Sequence, residues 1–499
     1  MELSSAAAAG TIVAPLGLLN ARVAAAQPQC NYASFTVPGF GPLSPRLPAN
    51  TAALGALSGQ AIVALPQGFS YTAISIRGDR LTTGGVLPGS HDGMACFQGR
   101  AGTFVLVRNH ELNPTGLPPG CLTANGKQYD RFAGAATGLG GGGTSTVVVD
   151  RAGQVVEHYI SLGGTIRNCA GGPTPWNSWI SCEENTSVPS TSATNQVTLR
   201  HGYNFEVPAY LDQAVDPIPL KAMGRMNHEA VSVDPQSGYV YETEDRGDSA
   251  FYRFVPRVRK PNGFGDLQQG GDLYAMVIQP GQVSQCTAAT LPVNVLNGAT
   301  VADTRGTGAG GSGSLLPFLG QPLRVTWVRL DDVDPVGDTL RHEAQAKGAA
   351  AFYRGEGAWY HQGRHYFVCS NAGDAGEGQV WCYDPRTETV TLVVESTSEN
   401  LLDGPDNLTI ARDGTIYLCE DGSGGNPGDP NYSQRVVGVD AQGGLFDFCK
   451  NNINTNEFAG ACFSPNGHFM FVNIQGSGIT LCIWRDDQRP IYLRPGFNG

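Results

Sequence analysis

A repeated strand–turn–strand unit is the feature that most constrains how this chain can fold. The stretch from Glu229 to Asp245 aligns with the stretch from Asp406 to Asp421, with one residue more in the first turn. Each begins with an acid, continues as an alternating strand, turns at a glycine and returns through a second strand to a terminal acid pair. The repetition predicts a fold built from copies of one hairpin.

Four further stretches follow the same pattern, which gives six predicted hairpins. In chain order they are Asp92–Glu111, Cys169–Glu184, Glu229–Asp245, Glu356–Asp374, Asp406–Asp421 and Glu457–Asn473. This repetition predicts an all-β fold, a six-bladed β-propeller, because radial repetition leaves few exposed sheet edges. The innermost hairpins of a propeller start and end on the same rim. We therefore expect the residues at the hairpin ends to surround one mouth of the central channel.

The longest gap between hairpins, between the third and the fourth, predicts an insertion at about residues 257–348. This stretch contains a glycine-rich run, Gly306–Gly313, and a predicted short helix, Asp338–Lys347, with Asp338 as its N-cap. Because its ends return to adjacent hairpins, we expect a loop and short-helix insertion over the channel mouth. A separate small domain is the alternative.

The N-terminus has the composition of an export signal. Residues 3–26 are apolar and rich in small side chains, and a stretch rich in proline and glycine follows them directly. We predict an export signal at 1–26, an N-terminal segment at 27–80 and a propeller domain at 81–499. A buried helix is the alternative for the first segment. No later run is long and apolar enough to span a bilayer, so we expect a soluble mature protein. The export signal favours the periplasm or the extracellular medium, and we expect a monomer.

Charge and cysteine content limit the possible partners. The formal net charge of −12 argues against nucleic acid as a binding partner, because an acidic chain does not neutralise a phosphate backbone. The same excess of acid can bind cations. Twelve cysteines in an exported chain permit disulfide bonds, and the sequence leaves their pairing open.

The residues at the hairpin ends are candidate metal ligands. They are Cys169, Glu184, Glu229, Asp245, Glu356, Asp406, Glu420, Asp421 and Glu457. Carboxylate oxygens suit calcium or high-valent iron better than zinc, and one thiolate among oxygens favours a transition metal. Acids crowded on one rim repel each other unless cations hold them. For any one of these acids alone, an ordinary turn carboxylate is the alternative.

Several of these segments together resemble the PhoX family of alkaline phosphatases. The matching stretches are Arg108–Glu111, Asn168–Glu184, Asn227–Glu229, Thr243–Pro256, Gly355–Gly357, Pro405–Asn407, Cys419–Asp421 and Glu457–Gly460. They extend over most of the chain after the predicted export signal. Family members usually carry a twin-arginine export signal, and this sequence shows none.

The resemblance implies a six-bladed propeller that hydrolyses small-molecule phosphate monoesters with two ferric ions and several calcium ions. It implies as metal ligands Cys169, Glu184, Glu229, Asp245, Glu356, Asp406 and Glu457. Arg354, two residues before Glu356, matches the family's phosphate-binding arginine, and a plain salt bridge to a rim acid is its alternative role. Further candidate site residues in the hairpin-end segments are Asn109, Glu111, Glu183, His228, Glu420 and Asp421.

Two other functions are compatible with the same architecture. A calcium-dependent propeller hydrolase of lactones or phosphotriesters also needs a few acids at the channel mouth, but has no evident need for Cys169. A non-enzymatic propeller, whose metals only hold its sheets together, is the second alternative. Metal-loaded protein without hydrolase activity would favour the latter.

Overall fold

The computed structural model describes residues 35–114, 119–132, 140–189, 197–422 and 434–493. The predicted export signal at 1–26 lies outside these residues. Within the described ranges the chain forms 29 strands, six short 3-10 helices and one α-helix, so the fold is all-β as predicted. In the same ranges no helix combines the length and the hydropathy needed to cross a membrane.

Strands and helices are numbered along the chain. The strands are β1 (Phe35–Thr36), β2 (Ser44–Arg46), β3 (Val63–Leu65), β4 (Phe69–Ile76), β5 (His91–Gln98), β6 (Phe104–His110), β7 (Gly142–Val149), β8 (Val155–Thr165), β9 (Asn168–Pro173), β10 (Ser178–Glu183), β11 (Asn204–Pro208), β12 (His228–Val233), β13 (Val240–Glu244), β14 (Tyr252–Pro256), β15 (Gly271–Ile278), β16 (Val293–Leu296), β17 (Ala299–Ala302), β18 (Pro322–Arg329), β19 (Gly355–His361), β20 (Arg364–Cys369), β21 (Gln379–Asp384), β22 (Thr389–Glu395), β23 (Pro405–Ile410), β24 (Ile416–Glu420), β25 (Arg435–Val439), β26 (Gly444–Asn451), β27 (Phe458–Phe463), β28 (Phe469–Ile474) and β29 (Ile479–Arg485). The α-helix is α1 (Leu340–Ala346), and the 3-10 helices are Thr51–Ala53, Gly55–Leu57, Arg100–Gly102, Lys221–Met223, Leu267–Gln269 and Leu316–Phe318.

Antiparallel hairpins lie at all six predicted positions. They are β5–β6, β9–β10, β12–β13, β19–β20, β23–β24 and β27–β28. The first strand of each hairpin contacts the first strand of the next, and β27 of the last hairpin contacts β5 of the first. The six inner strands therefore form a closed ring, and the arrangement of sheets is propeller-like.

Outer strands extend each hairpin away from the ring. The first sheet runs β5-β6-β7-β8, the second β9-β10-β11, and the fifth continues from β23 through β26 to β3 and β2. The third and fourth sheets are joined through β18 into one sheet of nine strands. In the last sheet, β4 from the N-terminal segment pairs antiparallel with β29 near the end of the described chain. Residues distant in sequence thus close the ring.

The hydrophobic core lies between neighbouring sheets. Phe69 and Tyr71 of β4 and Leu481 of β29 belong to one buried cluster with Tyr417 and Phe448 of the fifth sheet. Burial of one such apolar side chain stabilises the fold by about 1.5–3 kcal/mol. Packing of this kind fixes each sheet against the next and so holds the inner ring in place.

The region predicted as an insertion contains both sheet strands and added structure. Strand β15 pairs with β14 and β18 pairs with β15, so these parts of residues 257–348 extend the third sheet. The added elements are the β16–β17 hairpin and α1. The predicted N-cap is wrong, because α1 is capped by Thr339 without a side-chain hydrogen bond. The Asp338 carboxylate instead pairs with Arg246 at 2.7 Å and with Arg341 at 3.1 Å.

Candidate metal centre

Each inner strand contains a β-bulge near its start. The register of the six hairpins shows one extra residue in the inner strand, at Asp92–Gly93, Cys169–Ala170, Glu229–Ala230, Glu356–Gly357, Asp406–Asn407 and Gly460–Ala461. In five hairpins the first residue of the bulge is an acid or the cysteine, and in the sixth Glu457 directly precedes the strand. A bulge turns its side chains out of the regular alternation. The same bulge thus presents a possible ligand in five of the six hairpins.

Glycine or alanine follows four of these six potential ligands and lets the inner strands approach closely. A side-chain carbon on Gly357 would lie 2.7 Å from the backbone oxygen of Asp406, and one on Gly460 would lie 2.4 Å from that of Asp92. Contacts this short are impossible for any residue larger than glycine without movement of the backbone. The narrow space directly behind the donor residues is consequently lined by all six inner strands.

The donor atoms form three groups, each able to hold a metal ion. Within a group the donor atoms lie within 4.8 Å of one another. The groups are Cys169, Glu184 and Glu229; Glu229, Glu356 and Asp406; and Asp406, Asp421 and Glu457. Because Glu229 and Asp406 each belong to two groups, the three groups form one continuous row, which we call the donor row.

The electrostatics of the donor row favour the binding of cations. Burial and, after it, neighbouring carboxylates raise the pKa of Glu229 and of Glu356 well above the usual range. The same causes raise the pKa of Glu184 to about 8 and that of Asp406 to about 7. Buried carboxylates that crowd in this way repel each other, and a cation among them removes that repulsion. Oxygen donors suit calcium, whereas the group with the Cys169 thiol suits a transition metal.

Arg354 lies at one side of the donor row and contacts two of the predicted ligands. Its Nε donates to Oδ1 of Asp245 at 2.9 Å, its Nη2 lies 3.1 Å from Oε1 of Glu356, and its Nη1 donates to Asn371 at 2.7 Å. Asp245 is thus brought to the row through Arg354, although it belongs to none of the three groups. Ser370 donates to the same Glu356 oxygen at 2.8 Å. The Arg354 side chain is 35% exposed.

Two of the further acidic candidates make other contacts. Glu183 accepts a hydrogen bond from Nδ1 of His201 at 2.6 Å, and Glu420 forms an ion pair with Arg435 at 2.7 Å. Successive residues of a strand point to opposite faces. In these two acid pairs the second residue, Glu184 or Asp421, therefore belongs to the donor row, whereas the first makes its contacts inside the sheet.

His228 and Asn109 also lie outside the three donor groups. Nδ1 of His228 is 3.3 Å from Oε2 of Glu242, so the imidazole is held within its own hairpin. The Asn109 amide donates to the backbone oxygens of Cys169 at 3.1 Å and of Ala170 at 2.6 Å. Asn109 thus fixes the bulge that presents the thiol.

Asp92 and Arg167, which are not among the predicted site residues, lie near the donor row. Burial, and then the charges of Glu111 and Asp406, raise the pKa of the Asp92 carboxyl well above the usual range. Its position at the start of the first hairpin was the available signal. Arg167 lies 2.8 Å from Glu111, whose other oxygen accepts from Gln475 at 2.6 Å.

A solved structure shares this fold. The PhoX of Pseudomonas fluorescens, solved in complex with vanadate, a transition state analogue, superposes with a TM-score of 0.62 at 17% identity, covering 87% of this chain and 97% of that one. A gluconolactonase from Xanthomonas campestris is matched over 89% of this chain and 98% of its own, with a TM-score of 0.39 and 11% identity. No curated protein sequence matches the chain.

The sequence profile of alkaline phosphatase PhoX matches residues 50–478. This range contains all six hairpins and every member of the donor row. The chain therefore belongs to the PhoX family of alkaline phosphatases, which are hydrolases of phosphate monoesters.

Proposed function

We propose that this chain is an exported phosphomonoesterase that acts on small-molecule phosphate esters at a multinuclear iron–calcium centre in the donor row. The observation that carries the proposal is the continuity of that row, in which three groups share ligands beside a half-exposed arginine. We take the closed ring of six hairpins to be the inner part of a six-bladed propeller. Export rests on the predicted signal at 1–26, and a monomer is our expectation.

The donor types suggest where each metal would bind. Cys169, Glu184 and Glu229 would hold iron, because the thiolate is the one soft donor of the row. Asp406, Asp421 and Glu457 offer only oxygen and would hold calcium. The bound ions would supply Lewis-acid stabilisation of the negative charge that a phosphoryl group carries during its transfer.

Arg354 is the proposed phosphate-binding residue. Its guanidinium is held beside the row by Asp245 and Asn371, and it is exposed enough to contact a ligand. A planar guanidinium donates two parallel hydrogen bonds to phosphate oxygens, which carboxylates cannot do. The backbone of Arg354 is left-handed, with φ of 47°, so the residue itself is fixed in an uncommon conformation.

The proposal is tested with purified protein by elemental analysis and an aryl phosphate assay at alkaline pH. We expect bound iron and calcium, and we expect calcium-selective chelation followed by dialysis to abolish hydrolysis and calcium addition to restore it. Activity that survives complete removal of calcium would exclude calcium from the working centre. Iron-loaded and calcium-loaded protein that hydrolyses lactones or phosphotriesters, but no monoester, would overturn the proposed function.

A further inference from the structure

Arg167 occupies in the second hairpin the position that Arg354 occupies in the fourth. Each lies two residues before the bulge residue of its hairpin, Cys169 or Glu356. Each has a left-handed backbone, with φ of 49° and 47°. Gly404, with φ of 53°, stands at the same point of the fifth hairpin. Since glycine adopts this conformation most easily, the backbone does not require an arginine there.

The backbone contacts of the two arginines are also equivalent. The Arg167 N–H donates to the oxygen of Leu112 at 3.0 Å, one residue after the end of the preceding hairpin, and the Arg354 N–H donates likewise to Arg246 at 2.8 Å. Both carbonyls accept a hydrogen bond from the end of their own hairpin, from Glu184 for Arg167 and from Ser370 for Arg354, each at 3.0 Å. The sheet therefore places both guanidinium groups on the same rim.

Two acids clamp the Arg167 side chain and leave one of its amino groups free. Nε donates to Oε1 of Glu111 at 3.0 Å, and Nη2 contacts both Glu111 and Glu184. Nη1 has no hydrogen bond to any part of the chain that the structure describes, and the side chain is 36% exposed. A guanidinium held in this way is an orientated donor, which loses little conformational freedom when it binds a ligand.

The acids that bind the two arginines are electrostatic neighbours. Asp245, which pairs with Arg354, is among the charges that raise the pKa of Glu184, which pairs with Arg167. Glu184 also belongs to the donor group with the cysteine. An anion that reaches this part of the donor row consequently meets guanidinium donors from both the second and the fourth hairpin.

We propose that Arg167 is a second phosphate-binding residue, whose Nη1 donates to an oxygen of the phosphoryl group while Arg354 binds it from the other side. This inference rests on the proposed phosphatase function and adds to it a residue of the same site. In the alternative role, Arg167 only neutralises Glu111 and Glu184. That role requires a positive charge but not the directed N–H donors of a planar guanidinium.

Arg167→Lys separates the two roles, because lysine keeps the charge and loses the fork. We expect the inhibition constant of inorganic phosphate, and its dissociation constant in equilibrium dialysis, to rise about 10–100-fold, the usual effect of losing a hydrogen bond to a charged group. Iron and calcium contents should stay near wild type. Arg200→Lys is the matched control, since Arg200 is a half-buried arginine paired with Asp334 at 2.8 Å; phosphate affinity should not change there.

An inhibition constant does not depend on the fraction of active enzyme, so the result stands even if the variant loses some metal. Arg167→Gln, measured in the same way, should weaken phosphate binding at least as much. Unchanged phosphate affinity in both variants would show that Arg167 only forms structural ion pairs. The proposed function would not be affected by that result. A wild-type enzyme without monoesterase activity would remove the proposed function and this inference together.

Discussion

At the scale of single residues, Arg354 allows substrate binding to be separated from ion pairing. Arg354→Lys keeps the charge beside Asp245 and Glu356 but cannot donate two parallel hydrogen bonds to a phosphate. We expect kcat to fall about 10²–10³-fold, comparable with the loss of one transition-state donor. Metal contents should not change, because arginine ligates neither ion. A variant with intact metals and wild-type kinetics would show that Arg354 only makes its two salt bridges.

The thiol of Cys169 gives a second residue-scale prediction. If it binds iron, Cys169→Ser should lose iron, the visible charge-transfer band of a ferric thiolate and the activity. Cys182→Ser is the matched control, because Cys182 is a buried free thiol of the same hairpin outside the three donor groups. Retention of iron and full turnover by Cys169→Ser would make the cysteine structural. A packing defect alone would instead lower stability in both variants by about 0.5–3 kcal/mol.

At the scale of the hairpin, close approach of the inner strands predicts that Gly357 cannot be replaced. A side-chain carbon there would lie 2.7 Å from the backbone oxygen of Asp406 and 2.8 Å from the nitrogen of Leu408. Gly357→Ala should therefore push β19 and β23 apart, lower the free energy of unfolding by about 1–3 kcal/mol and reduce metal content. Gly263→Ala, where no atom lies within 4 Å of the added carbon, should be nearly neutral. Equal thermal stability of the two variants would contradict this account.

The hairpins were predictable from the sequence because their signals are local. An acid, an alternating strand and a glycine turn recur within about twenty residues, and the residues of the donor row lie at the ends of these units. The bulges were not predictable, because one extra residue in a strand barely alters the hydrophobic alternation. The choice between Glu183 and Glu184 depends on which face of β10 is turned toward the ring, which the sequence does not show.

At the scale of the whole molecule, the ring closes through a pairing that has no local signal. Strand β4 pairs with β29, about 400 residues later in the chain. The hydrophobic alternation of β4 predicts a strand but does not indicate which strand it pairs with, because pairing depends on the packing of all the sheets. The sequence therefore predicts residues 27–80 only as a segment leading into the propeller, whereas β4 of this segment is the outer strand of the last sheet.

Stability of the whole fold should depend on pH through His201, which lies buried behind the donor row. The ring contacts Glu183 at 2.6 Å and Asp130 at 3.2 Å, and Tyr129 packs edge-on against it. Burial alone lowers the pKa of His201, but the two carboxylates outweigh burial and raise it to about 9. Protonated His201 thus joins the second sheet to the loop that precedes the first sheet's β7.

A histidine with a raised pKa stabilises the folded state fully below its unfolded pKa of about 6.5, and this stabilisation is lost as the pH rises through about 9. Asp130, whose carboxylate contacts His201 in the folded state, has a lowered pKa. It therefore stays ionised over the pH interval in which His201 titrates. His201 should therefore contribute about 3 kcal/mol to the free energy of unfolding at pH 6 and little above pH 10.

Denaturant unfolding of wild type and His201→Gln between pH 6 and pH 10 measures this contribution, since the difference in free energy of unfolding between the two proteins should shrink as the pH rises. His468→Gln, changed at a histidine outside this network, is the control for the loss of an imidazole. A constant difference between wild type and His201→Gln would mean that His201 stabilises the fold as a neutral ring, through packing alone.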